Sequence, residues 1–345
     1  MTSTTDNSKR TAVLLVNVGT PDAPTVPAVR RYLSQFLNDR RVIDLPLIPQ
    51  KILVNLIIVP FRSPKSTKLY EMLWTKEGSP LVVNAEKNKV KLQTELGSDY
   101  EVFIAMRYQN PPLRKVLREV RDRQFGKMVV VPVFPQYASS TTGTIARFVY
   151  QEMSDWTVMP ELKVINQFYD HPRFVQAFTE RIKEYKPETW DHIIFSYHGL
   201  PIRQVNKVHP DVDAATCTCE KALPKHGKFC YRATCYDTTR LLANALGLKP
   251  ADYSVSFQSR LDKNWLEPFT DVTLIRKAKE GAKRILVVAP AFVADCLETS
   301  VEIGIEYQQL FEEHGGEKVQ LVESLNDHPL WIQTLKELIV LNTTS

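Results

Sequence analysis

No two of the twelve glycines in this 345-residue chain are separated by a single residue. The G-x-G-x-x-G turn that seats a dinucleotide pyrophosphate on a helix N-terminus is therefore absent. Neither GxxxxGK nor GxSxG occurs, which removes the phosphate-cradling P-loop and the nucleophile elbow. Like charge is not blocked together: 44 basic and 39 acidic side chains leave a net +5 spread along the chain, so no nucleic acid partner is expected. Met1 to Arg10 is polar and lacks the apolar core of a secretory signal, and a cytoplasmic location is expected from it. The most apolar stretch, Val42 to Phe61, is interrupted by Asp44, Pro46, Pro49, Gln50, Lys51 and Asn55, whereas a spanning helix needs about 20 mostly apolar residues. Peripheral contact of this segment with a membrane surface stays open, as does the oligomeric state.

What is present is a globular composition, 43% hydrophobic and 24% charged, at a length that suggests about two domains. Eight short runs rich in β-branched residues alternate with longer helical patterns: Ala12 to Val18, Val102 to Met106, Met128 to Phe134, Lys163 to Phe168, His192 to Tyr197, Ser254 to Ser259, Arg284 to Ala291 and Val319 to Ser324. They read as buried parallel strands with helical crossovers. The two sets of four resemble each other. Asp170-His171-Pro172 returns as Asp327-His328-Pro329, Gly19-Thr20-Pro21 as Gly199-Leu200-Pro201, and Lys127 to Pro132 as Lys283 to Pro290, while Arg107 and Arg260 end corresponding strands. The expected fold is α/β: two similar Rossmann-like domains, each a four-stranded parallel sheet flanked by helices. The expected division is 1–170, joined by the C-terminal helix 326–345, and 171–325. Open parallel sheets bind ligands beyond the carboxyl ends of their strands, so chemistry is expected there, in a cleft shared by the two halves.

Several residues stand at such ends. His198 closes the run Ile193 to Tyr197 and offers a base that is neutral near pH 7. Glu298, Glu302 and Glu306 are spaced i, i+4, i+8, one stripe of a helix, beside an apolar stripe of Leu297, Val301 and Ile305. Like charges so placed cost about 0.2–0.5 kcal/mol per pair, offset by solvent on an exposed face or by a hard cation passed along the row. Arg107, before Tyr108, could clamp a substrate carboxylate bidentately. Ser79 follows the apolar stretch, and segment 42–80 could form one wall of a large apolar pocket, with Trp265 forming another.

Ser196-Tyr197-His198 with Gly199-Leu200-Pro201, Asp295-Cys296-Leu297-Glu298-Thr299, Met106-Arg107-Tyr108, Gly78-Ser79-Pro80, Gln136-Tyr137 with Thr141-Thr142-Gly143, and Phe257-Gln258-Ser259 together resemble a ferrochelatase, from about Thr11 to the last helix. The resemblance implies insertion of ferrous iron into a porphyrin, protoporphyrin or coproporphyrin, with release of two protons. His198 and Glu298 then correspond to the family's two central active-site residues, with Glu302 and Glu306 on the iron route and Arg107, Tyr108, Ser79 and Trp265 holding the macrocycle. Two other readings use the same architecture: a chelatase for another metal or tetrapyrrole, such as cobalt or sirohydrochlorin, and a non-catalytic tetrapyrrole carrier.

Cys217, Cys219, Cys230 and Cys235 fall within one polar segment, 211–236, that has no counterpart in the first half. Four thiolates so close can enclose zinc or a two-iron cluster. The resemblance extends to ferrochelatases with an internal four-cysteine segment, and it implies a [2Fe-2S] cluster here.

Overall fold

The computed structural model describes residues 7–209, 211–212 and 216–343. Most of the polar stretch Met1 to Arg10, residues 213–215 of the cysteine insert and the last two residues of the expected C-terminal helix lie outside them.

The β-branched runs form strands β1 (Thr11–Asn17), β2 (Tyr100–Met106), β3 (Lys127–Pro132), β4 (Glu161–Val164), β5 (His192–His198), β6 (Tyr253–Gln258), β7 (Arg284–Val288) and β8 (Lys318–Leu321). They make two four-stranded sheets ordered β2-β1-β3-β4 and β6-β5-β7-β8, with every pairing parallel. This is the expected α/β architecture of two similar halves. β3 and β7 stop short of the expected ends, at Pro132 and Val288, and the edge strands β4 and β8 are four residues each.

The chain divides into two compact units: Met1–Phe134 with Ser139–Gln167 and Trp331–Ser345, and Pro135–Ala138 with Phe168–Leu330. In the N-terminal unit the central strand β1 is covered on both faces, Ala12 to Val16 being 0–5% exposed, as a doubly packed parallel strand requires. Helix Leu113–Asp122 buries Leu113, Val116, Leu117 and Val120 on one face, a 3.6-residue period, and each such side chain contributes about 1.5–3 kcal/mol of burial. In the C-terminal unit Ile194, Leu274, Ile285, Val287, Ile303 and Phe311, all fully buried, form the equivalent core.

The internal repeat is visible in the hydrogen bonds. Met106 N–H donates to Pro111 O at 2.7 Å, and Phe257 N–H donates to Pro268 O at 2.8 Å, so Met106 corresponds to Phe257 and the next residue, Arg107, to Gln258. This replaces the expected match of Arg107 with Arg260, which pairs with Asp271 instead. A second correction concerns helix type. Glu298–Tyr307 is not α-helical but a wider π-type helix, as is Ser139–Gly143 after β3. Because the turn is wider, the buried side is Thr299, Val301, Ile303 and Tyr307, and Leu297 and Ile305 of the expected apolar stripe are only half-buried.

Candidate functional site

His198 is half-buried at the carboxyl end of β5. Its Nδ1 is 2.6 Å from the Gly199 carbonyl oxygen. A carbonyl can only accept, so Nδ1 is the donor in this contact, and in the neutral imidazole the lone pair is the one on Nε2. Trp265 and Phe292 flank the ring, with centroids 6.3 and 6.4 Å away. Gly199 packs so closely on the neighbouring backbone that an added Cβ would lie 2.9 Å from Gln258 O and 3.3 Å from the Trp265 ring.

Glu298 opens the π-type helix that follows β7 and is half-buried. Beside it, burial and the Glu298 carboxylate hold the Cys296 thiol well above its usual range. The approach loop is fixed by a reciprocal pair. Asp295 N–H donates to Asn326 Oδ1 at 3.0 Å, and Asn326 Nδ2 donates back to Asp295 Oδ2 at 2.7 Å. Glu302, one turn on, accepts from Ser259 N–H at 2.8 Å, from the Ser259 hydroxyl and from the Tyr307 hydroxyl at 2.8 Å. Glu306 is exposed, yet partial burial and the Glu302 charge raise its pKa. The three glutamates therefore differ: one at the head of the helix, one saturated with donors, one at the surface.

The N-terminal unit holds Arg107, Tyr108 and Ser79. Arg107 donates to Asp39 Oδ2 at 2.8 Å and to Thr144 Oγ1 at 3.0 Å, with its guanidinium carbon 4.8 Å from the Tyr108 ring centre and 4.4 Å from that of Phe148. The Tyr108 and Thr144 hydroxyls also donate to Asp39 Oδ2, at 3.0 and 2.6 Å. Burial alone would raise the Asp39 pKa, but hydrogen bonds from Thr144 and the Arg41 N–H and the Arg107 charge outweigh it and hold it low. The buried Ser79 hydroxyl is 3.3 Å from that of Thr20. Along segment 42–80, Leu47, Ile48, Ile52, Leu56, Ile57 and Phe61 are 51–76% exposed, and among the described residues no helix is long and apolar enough to cross a membrane.

Residues that sequence reading had not placed in the site are Asp39, Ser259, Tyr307 and Gln258. The last is 1% exposed and donates from Nε2 to the Glu298 carbonyl at 2.7 Å. Its sequence signals are its place in the motif Phe257-Gln258-Ser259 and a polar residue ending a buried strand.

In the insert, Cys219, Cys230 and Cys235 are buried and Cys217 half-buried. Burial, with the neighbouring thiols, pushes Cys219 up to about 12. Each of three sulfurs has a nitrogen partner: Cys217 with His226 Nε2 at 3.4 Å, Cys230 with His209 Nε2 at 3.1 Å, and Cys219 with Arg232 Nη1 at 3.4 Å. The thiols feel one another electrostatically, but among the described residues no three His, Cys, Asp or Glu side chains converge as a ligand set for a metal ion.

The family model described as ferrochelatase matches residues 10–343. A ferrochelatase of Coxiella burnetii (strain Dugway 5J108-111) is 41% identical over 340 residues, covering 96% of this chain and 94% of the relative. One of Legionella pneumophila (strain Lens) is 41% identical over 331 residues, covering 96% and 98%. Among solved structures, SirB from Bacillus subtilis with Fe3+ superposes with a TM-score of 0.55 at 12% identity, covering 97% of this chain and 96% of that one. At that identity the likeness is one of fold.

Proposed function

The chain belongs to the ferrochelatase family, and from that membership we propose how its own residues divide the work of placing ferrous iron in a porphyrin. It is a metal-insertion enzyme of haem biosynthesis, with iron and porphyrin as substrates. A free porphyrin carries two protons on its inner nitrogens, and both must leave as the metal enters. A base with a free lone pair near neutral pH suits that step. The observation that carries the assignment is the His198 tautomer: with Nδ1–H held by Gly199 O, Nε2 is the atom that accepts a pyrrole proton.

Glu298 supplies the carboxylate to the arriving cation, an oxygen ligand of the kind a divalent iron accepts. Glu306 at the surface and Glu302 below it mark the iron route. The Glu302 carboxylate is fixed in place by the Ser259 N–H and the Ser259 and Tyr307 hydroxyls. Trp265 and Ser79 bind the macrocycle. Arg107 and Tyr108 act as a preformed unit, Arg107 Nη2 and the Tyr108 hydroxyl being held by Asp39 and Arg107 Nε by Thr144, so they present a fixed surface to the substrate.

The test is anaerobic assay with ferrous iron and protoporphyrin or coproporphyrin. His198→Ala should lower kcat by about a hundredfold or more while porphyrin still quenches tryptophan fluorescence; a variant of unchanged kcat overturns the assignment.

A [2Fe-2S] cluster on Cys217, Cys219, Cys230 and Cys235 is supported by the family resemblance of the insert and by the donor chemistry of four thiols in one segment, although among the described residues these side chains do not converge as a ligand set. Such a cluster would be structural or sensory, since metal insertion transfers no electrons. Protein purified anaerobically should be coloured and hold two iron and two sulfide per chain; colourless protein with stoichiometric zinc removes the cluster. The enzyme works in the cytoplasm, and the exposed apolar residues of 47–61 touch a membrane surface peripherally.

A further inference from the structure

We propose that Gln258 is a positioning residue for metal insertion: its single side chain ties the strand that carries His198 to the helix start that carries Glu298. Gln258 ends β6 directly opposite His198 in the parallel pairing and is 1% exposed. Its Oε1 accepts from the Ser196 hydroxyl at 2.7 Å, two residues before His198, and its main-chain oxygen accepts from Gly199 N–H at 2.7 Å, one residue after. From the other end of the amide, Nε2 donates to the main-chain oxygen of Glu298 at 2.7 Å and lies 3.4 Å from Glu302 Oε2. The direction of the amide follows from the partners. The Glu298 carbonyl can only accept, so the NH2 faces it and the oxygen faces Ser196.

Ser196 is itself held: its hydroxyl is 2.9 Å from that of Thr270, which is 2.8 Å from the Ser256 hydroxyl. The result is a buried polar chain with every member satisfied, the kind that fixes one geometry. None of the Gln258 bonds reaches a reacting atom. What they set is where the His198 imidazole and the Glu298 carboxylate are presented, and displacement of about 1 Å at a reacting pair costs about a hundredfold.

The repeat supports the same role. Arg107, the counterpart of Gln258 in the first half, also reaches from its strand end to the π-type segment after the third strand of its sheet, there through the side chain of Thr144, the residue that follows Ser139–Gly143.

The inference rests on the reading of His198 and Glu298 as the acting groups, so His198→Ala and Glu298→Gln are measured alongside. The full chain carrying Gln258→Leu, Gln258→Glu or Ser196→Ala is assayed anaerobically with ferrous iron and protoporphyrin. Porphyrin affinity is measured by fluorescence quenching, and thermal midpoint by circular dichroism. Gln258→Leu should lower kcat about tenfold to a hundredfold, with porphyrin affinity within about twofold, the split expected of misplaced groups. Gln258→Glu, nearly isosteric, should lose at least as much, because it sets a carboxylate against the Glu298 carbonyl and Glu302. Unchanged kcat in Gln258→Glu overturns the proposal, as does a fall in kcat matched by equal loss of porphyrin affinity and thermal stability. Should both Gln258 variants fail to fold, Ser196→Ala decides: a severalfold lower kcat at unchanged affinity supports the role, and unchanged kcat overturns it. If instead His198→Ala and Glu298→Gln keep wild-type kcat, the fault lies in the reading of those two groups.

Discussion

Arg107 and Asp39 form an ion pair at 2.8 Å with the arginine head between the rings of Tyr108 and Phe148. Asp39 is the single acceptor on which Arg107, the Tyr108 hydroxyl and the Thr144 hydroxyl converge. Asp39→Ala leaves those donors without a partner and should cost about 2–4 kcal/mol, read as a lower urea midpoint. Asp39→Asn, which keeps an acceptor oxygen, should cost less. Equal stability of Asp39→Ala and the wild type would show that water replaces the carboxylate without penalty.

Acid should weaken the C-terminal unit through His192. It is buried at the start of β5 with Nε2 2.7 Å from the Ser254 hydroxyl, and burial, with Lys277 and Arg276 nearby, lowers its pKa from 6.5 to about 4. The unfolded chain takes up a proton near 6.5 and the folded chain does not. The stabilisation is therefore complete above about 6.5 and is lost progressively as pH falls towards 4. Denaturation midpoints of His192→Gln, measured across that window, should show a shallower pH slope than the wild type; an identical slope would assign the acid sensitivity elsewhere.

Two glycines should respond differently to a methyl group. At Gly19, φ is +113° and an added Cβ would lie 2.0 Å from Tyr108 O. Gly19→Ala combines backbone strain with overpacking and should lose about 2–4 kcal/mol. At Gly199 the nearest atoms are 2.9 and 3.3 Å away, and one belongs to the Trp265 ring. Gly199→Ala should be milder in stability but should weaken porphyrin binding by shifting Trp265. Fluorescence quenching distinguishes the two effects.

The apolar face of segment 47–61 should partition onto lipid. Leu56→Glu with Ile57→Glu removes two exposed apolar side chains and should reduce cosedimentation with anionic vesicles at least fivefold, about 1 kcal/mol, while leaving the denaturation midpoint unchanged. Equal cosedimentation of variant and wild type would remove this face as the contact.

The eight strands were legible because a buried parallel strand has to be a short, β-branched run, and the doubling was legible because Asp-His-Pro and Gly-x-Pro recur at equivalent turns. The helix type after β7 was not. A glutamate every fourth residue fits an α or a wider turn, and only the burial of Thr299, Val301, Ile303 and Tyr307 tells them apart. Asp39 escaped notice because its partners lie 68 residues and more along the chain. Gln258 was read as part of a motif, and its hydrogen bonds to Ser196 and Glu298 exist only once three strands have been brought side by side.

The two halves meet the same structural need with different chemistry: an arginine at the end of β2, neutralised by an aspartate, and an amide at the end of β6. The difference matters for a cation. A guanidinium in the place of Gln258 would pair with Glu302 and cancel the local negative charge on which the proposed iron route relies. An amide holds the same backbone while contributing no net charge, so it leaves the carboxylate charge in place for the cation of the proposed iron route.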